Sequence, residues 1–287
     1  SFSYYSSYYY SSSFSYYYFS SSYYYYPSFY FYYFSSFSYI LNDIKDRDVD
    51  RRHPAKKFRP VAAGKVSVPA AVIEACLFII ASAVISLSIS GLLALVILSY
   101  VLLQIAYSFW LKRKALVDVI CIAIGFVLRA AAGAVAIQVT ISPWLFICMF
   151  TICLFMGFCK RYNEIATLEV NGQPEYHRHT LIDYTPDLLT HLITISAGIA
   201  IVAFLFYGLS EGTVEHIGSN YLVYTLPLVV YAVFRFAMLS MKGVYIDPTD
   251  LIINDRPFQF TIGLWGLMTL VIIRYGKDIN LWLGELY

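Results

Sequence analysis

Seven apolar segments of membrane-crossing length decide what this chain can become. They run from Val68 to Ser88, Gly91 to Trp110, Leu116 to Gln138, Pro143 to Cys159, Leu188 to Leu209, Asn220 to Met241 and Phe258 to Ile273. Each approaches or reaches the roughly 20 residues with which a helix crosses hydrocarbon. Of 287 residues, 59% are hydrophobic and only 13% are charged, far from the balance of a soluble domain. The expected fold class is therefore all-α: a polytopic integral membrane helical bundle, with residues 1–287 forming a single transmembrane domain. No cleavable signal peptide is recognisable.

The stretch before residue 40 is unlike the rest. Apart from Pro27, Ser1 to Tyr39 contains only Ser, Tyr and Phe. Its letters read as stand-ins for unidentified residues, so no chemistry is drawn from them. Its length would hold about two membrane helices, broken near Pro27. With the seven visible spans, that makes about nine transmembrane helices. The five cysteines (Cys76, Cys121, Cys148, Cys153, Cys159) lie in apolar segments without a CxxC pair. They read as small buried hydrophobes.

Charge is distributed by side. Alternating spans place the loops at 42–68, 111–117, 160–187 and 242–257 on one face. Those loops carry 16 of the 20 Lys and Arg, and the opposite connections carry none. The positive-inside rule makes the charged face cytosolic. The expected location is a bacterial or archaeal cytoplasmic membrane, with the polar loops and the functional site facing the cytosol. Nothing marks nucleic acid as a partner; membrane lipid surrounds the chain, and a homo-oligomer is compatible with it.

The most charged segment is Asn42 to Lys65. It opens with Asn42, Asp43, Asp46 and Asp50. Helical offsets of three, four and seven put the three aspartates on one face, with Asn42 beside them. Like charges so placed repel unless a cation sits among them, and hard oxygen ligands suit Mg²⁺. Pro54 should end the helix near His53. The chain then turns back, so that Lys56, Lys57 and Arg59 can fold over whatever the carboxylates bind. The plainer alternative is a solvated loop whose charges pair with each other.

Other polar residues admit two readings each. Lys160 and Glu164 have the spacing of a surface pair at i,i+4. Asp118 can simply start a helix beside Lys112, Arg113 and Lys114. In DYTPD, Pro186 forces Thr185 out of helical geometry. Thr185 then becomes an N-cap, Asp183 stays in the loop and Asp187 falls in the first turn. Asp187 either favours the helix N-terminus electrostatically or binds metal or phosphate. Arg129 and Arg235 lie within apolar spans and must face the bundle interior with partners. Glu74 is a candidate partner for Arg129. His177 and His179 fall short of the three ligands that a histidine metal site normally needs and read as solvated.

Several of these pieces carry a resemblance. YILNDIKDRDVDRRHPAKKFRPVAAGKVS resembles the first signature of the UbiA prenyltransferase superfamily of membrane transferases. YSFWLKR with Asp118, FVLRAAAGA at Phe126 to Ala134, and CKRYNEI at Cys159 to Ile165 are most similar to its decaprenyl-phosphate phosphoribosyltransferase branch. The Arg/Trp/Lys motif usual near the start of that branch is replaced here by the Ser/Tyr/Phe tract.

The resemblance implies a Mg²⁺-dependent enzyme with a cytoplasmic-face site. Its donor would be phosphoribosyl diphosphate and its acceptor a polyprenyl phosphate. Asp43, Asp46 and Asp50 would hold the metal. Asn42, Lys56, Lys57, Arg59, Tyr107, Lys112, Asp118, Arg129, Lys160, Arg161 and Asp187 would contact substrate. Two alternatives stay open: prenyl transfer from an isoprenyl diphosphate to an aromatic or lipid acceptor, and a transporter with charged cytoplasmic loops.

Overall fold

The computed structural model describes residues 22–52, 56–171, 181, 183–245 and 248–284. Ten helices appear among them: α1 (Ser22–Asp50), α2 (Val68–Ile89), α3 (Gly91–Phe109), α4 (Val117–Ala136), α5 (Pro143–Asn171), α6 (Pro186–Leu209), α7 (Glu211–Ile217), α8 (Leu226–Met241), α9 (Pro248–Asn254) and α10 (Arg256–Gly284). No strand occurs among the described residues. Among the described residues, seven helices are long and apolar enough to cross a membrane, as the sequence indicates. The chain divides into two compact units. The first comprises residues 1–114 and 128–140, the second residues 115–127 and 141–287.

Three boundaries differ from expectation. The helix through Pro27 is unbroken from Ser22 to Asp50. A proline forfeits a single backbone hydrogen bond, a loss that membrane helices accommodate. The polar stretch after Cys159 is not yet a loop, because α5 continues to Asn171. Lys, Arg and Glu are good helix formers, so a helix need not stop where its apolar stretch does. For the same reason α10 carries Arg274, Lys277 and Asp278 well past Ile273. α1 ends at Asp50, with Arg51 and Arg52 in a turn, close to the end expected near His53; His53, Pro54 and the His177–His179 pair themselves lie outside the described residues.

In the first unit, α1 packs against α2 and α3. Its core joins Ile40 of α1 to Ala71, Ala75 and Phe78 of α2 and to Leu93, Ile97 and Tyr100 of α3. On α2 four of the six buried positions, Ala71, Ala75, Ser82 and Ser86, are small. Small residues let helix backbones approach where lipid supplies no hydrophobic drive. The opposite stripe of Ile73, Leu77, Ile80, Val84 and Leu87 is exposed, as a lipid-facing surface should be. Ser90 makes the tight break between α2 and α3. Its N–H donates to Ser86 O, and its hydroxyl accepts from Leu93 N at 3.0 Å.

In the second unit, α5 packs along α6, and α8 lies against α5, α6 and α10. Phe155, Phe158, Leu189, Ile193, Phe236 and Phe258 share one core. A Cβ built on Gly157 would stand 2.5 Å from Val119 Cγ1, so glycine permits the close approach of α5 to the start of α4. Arg235 has found its partner. Its Nε and Nη2 donate to the Asp255 carboxylate at 2.6 and 2.9 Å. Asp255 also accepts the Phe258 N–H at 2.8 Å, capping α10. Arg235 is thus a structural clamp between α8 and α10. All five cysteines are free; Cys121 and Cys159 are buried as expected, but Cys76 faces outward.

Candidate functional site

The acidic stripe closes α1. Asp43 and Asp50 lie two turns apart, and each is only 3% exposed. Burying two like charges is costly unless a cation accompanies them. Arg59 supplies one: its Nη1 donates to Asp43 Oδ1 at 3.1 Å and to Asp50 Oδ2 at 2.9 Å. Asp46, between them in sequence, is more open and is engaged by the Lys112 ammonium. Asn42 is half-buried on the same helix.

The chain does turn back after α1. A 3-10 turn spans Lys56–Phe58, and Val61 and Val66 then enter the core of the first unit. Arg51 Nε donates to Ala62 O at 3.0 Å. These anchors hold the loop down and deliver Arg59 to the carboxylates. Lys57 is exposed with its ammonium over the Phe58 ring, while Lys56 and Tyr107 are half-buried. No three His, Cys, Asp or Glu side chains among the described residues are gathered as a ready-made metal cage. The donor chemistry nevertheless fits a hard divalent cation: two buried carboxylates flank a position that already takes positive charge, with a third on the same helix.

Arg129, expected beside Glu74, lies over the Tyr100 ring, 5.9 Å from its centroid. Glu74 is buried and joins no ion pair among the described residues. A cation–π contact therefore takes part of the role expected of a carboxylate.

The second unit has its own polar cluster. Asp118, in the first turn of α4, is fully buried. Arg161 Nε stands 3.0 Å from Asp118 Oδ2, without the alignment of a directed hydrogen bond, so charge holds the pair. Arg161 Nη1 pairs with Glu164. Asp118 and Arg161 are both buried, Arg161 at 2% exposure, and each offsets the other's charge. Glu164 stands at i,i+3 from Arg161. Lys160 is half-buried on α5.

Tyr184 completes the cluster and was not singled out by the sequence. Its hydroxyl accepts from Leu116 N at 2.6 Å and donates to Asp118 Oδ1 at 3.2 Å. Burial pushes its phenol up to about 12. The available signal was its place inside DYTPD, immediately before a helix cap. The rest of that motif folds as read: Thr185 caps α6 through Leu188 N, Asp183 stays outside the helix and exposed, and Asp187 is exposed in the first turn.

Comparison with known proteins gives these clusters their context. The UbiA prenyltransferase family profile matches residues 21–243. The decaprenyl-phosphate phosphoribosyltransferase of Mycolicibacterium smegmatis is 34% identical over 238 residues, covering 80% of this chain and 74% of its own length. The enzyme of that name from Mycobacterium tuberculosis is 32% identical over 242 residues, covering 84% and 78%. Among solved structures, a UbiA homologue from Archaeoglobus fulgidus bound to DMAPP and Mg²⁺ matches with a TM-score of 0.66. That match covers 87% of this chain and 86% of the homologue at 17% identity, a likeness of fold. A profile match over most of the chain, relatives covered for most of their length and the shared helical fold lead to one assignment: this integral membrane protein belongs to the UbiA prenyltransferase family.

Proposed function

We propose that the chain transfers a 5-phosphoribosyl group from phosphoribosyl diphosphate to a polyprenyl phosphate and releases diphosphate. The observation that carries this reading is the 34% identity, over 80% of the chain, to a decaprenyl-phosphate phosphoribosyltransferase. The acidic end of α1 supports it. Asp43, Asp46 and Asp50 offer hard oxygens for a divalent cation, taken here as Mg²⁺. Bound there, such a cation neutralises charge growing on the leaving diphosphate. Lys56, Lys57 and Arg59 follow in the adjoining loop and suit the remaining phosphate oxygens.

The reaction breaks the bond from ribosyl C1 to the diphosphate oxygen and forms one from C1 to an acceptor phosphate oxygen. The acceptor phosphate is already anionic at neutral pH, so no strong general base is required. The work left to the protein is positioning and charge stabilisation. The 16 Lys and Arg on one set of loops support a cytosolic orientation of this face, where a soluble donor would reach it.

The deciding experiment offers purified protein two labelled donors, phosphoribosyl diphosphate and an isoprenyl diphosphate, with Mg²⁺ and a polyprenyl phosphate. Labelled lipid from the first donor is expected. Labelled lipid from the second alone would establish prenyl transfer instead.

A further inference from the structure

One nitrogen of Arg59 lies between the two buried carboxylates that the proposed function assigns to a metal. The contacts are 3.1 Å to Asp43 and 2.9 Å to Asp50. A divalent cation bound to the same two oxygens would stand about 2.1 Å from each, which is the same space. A divalent cation and a guanidinium a few ångströms apart also repel, by about 8 kcal/mol at 4 Å near a protein surface, twice the value for two unit charges. Arg59 and the metal therefore exclude one another.

The arrangement does not serve to hold the loop down. Val61 is 1% exposed and Val66 5% exposed, both in the core of the first unit, and Arg51 ties the loop through Ala62 O. The Arg59 side chain retains 28% of its exposure, whereas those of Asp43 and Asp50 retain 3% and 5%. The loop is fixed, the carboxylates are enclosed, and the guanidinium is the member with room to leave. Asp46 repeats the pattern with Lys112. Each carboxylate of the stripe thus has a cation from the chain itself.

We infer that Arg59 is the resident counter-charge of the Asp43–Asp50 pair and makes metal binding conditional on the donor's diphosphate. Alone, a divalent cation must displace a guanidinium hydrogen-bonded to two carboxylates. With diphosphate present, the displaced guanidinium gains a new anionic partner, to which its planar fork is well suited. Metal and diphosphate then favour one another, and by linkage the coupling is reciprocal. The inference rests on the metal assignment made above, and its test separates the two.

The test is Mn²⁺ binding by the purified protein, followed by electron paramagnetic resonance with and without inorganic diphosphate. The wild type should bind Mn²⁺ weakly alone and about 10-fold more tightly with diphosphate. Arg59→Gln should bind Mn²⁺ alone about 10-fold more tightly than wild type and lose most of the diphosphate coupling. Arg59→Lys keeps the charge but lacks the fork, and should fall between them; it serves should the Gln variant fold poorly. Mn²⁺ affinities unchanged by either substitution would overturn the inference while leaving the metal site standing. Binding that is absent, or indifferent to Asp43→Asn, would overturn the metal assignment itself.

Discussion

Tyr184 accepts the N–H of Leu116 at 2.6 Å, and Leu116 holds a left-handed φ of 64°. That conformation costs a leucine about 1 kcal/mol or more, so something must hold it. The same phenol donates to the buried Asp118, which faces Arg161. One hydroxyl therefore fixes both the turn into α4 and the carboxylate just inside it.

Removing that hydroxyl strands a backbone donor and a carboxylate oxygen. Tyr184→Phe should destabilise the protein by about 2 kcal/mol, the cost of leaving buried polar groups unpaired. Thermal unfolding in detergent reads this as a lower Tm. An unchanged Tm would mean that water replaces the phenol. Leu116→Gly should be far milder than Leu116→Ile, because glycine adopts the left-handed region freely and a β-branched residue does not.

Gly157 faces Val119, with room for a hydrogen and not for a methyl group. Gly157→Ala should cost about 1–3 kcal/mol through overpacking. Adding Val119→Ala should recover most of that loss. Additive penalties in the double variant would place the strain elsewhere.

The seven spans and the short gap between Ser88 and Gly91 were legible because each depends on a run of apolar residues, and the cap at Ser90 came only with the structure. The cap at Thr185 was legible because Pro186 constrains its immediate neighbour. Side-chain partnerships were less so. Arg129 and Glu74 share a unit and opposite charge, yet Arg129 meets the face of Tyr100 and Glu74 pairs with no cation among the described residues. Arg161 and Asp118 are 43 positions apart, and no periodicity in either helix announces their meeting. The stripe at Asp43, Asp46 and Asp50 was visible as a face, but Arg59 and Lys112 come from separate loops to divide it.

Acid should loosen the clamp between α8 and α10. Arg235 and the Phe258 N–H hold the Asp255 carboxyl below its ordinary value of 3.8. The folded state thus takes up this proton less readily than the unfolded one. The stability it contributes is complete above 3.8 and is lost as pH falls through the folded value. The Tm difference between wild type and Asp255→Asn should be constant above about pH 5 and shrink below pH 3.8. A difference that persists undiminished at pH 2 would mean that the carboxylate's charge contributes nothing.

The two kinds of aspartate on α1 should separate in a mutational test. Asp43 is enclosed and shares Arg59 with Asp50, so Asp43→Asn alters both a proposed metal ligand and a buried charge balance. Asp46 is more open and meets the Lys112 ammonium at the edge of the stripe. The Asp46–Lys112 pair is partly open, and an asparagine keeps an oxygen toward the ammonium, so Asp46→Asn should lower Tm less than Asp43→Asn does. Its metal-dependent turnover should nevertheless fall by about 100-fold or more, the scale expected when a group that stabilises transition-state charge is removed. Asp43→Asn should lose turnover to a similar degree and lower Tm as well. Measuring Tm and turnover on both variants distinguishes a metal ligand from a structural carboxylate. Near-normal turnover of Asp46→Asn would take that residue out of the metal site and leave the cation to Asp43 and Asp50.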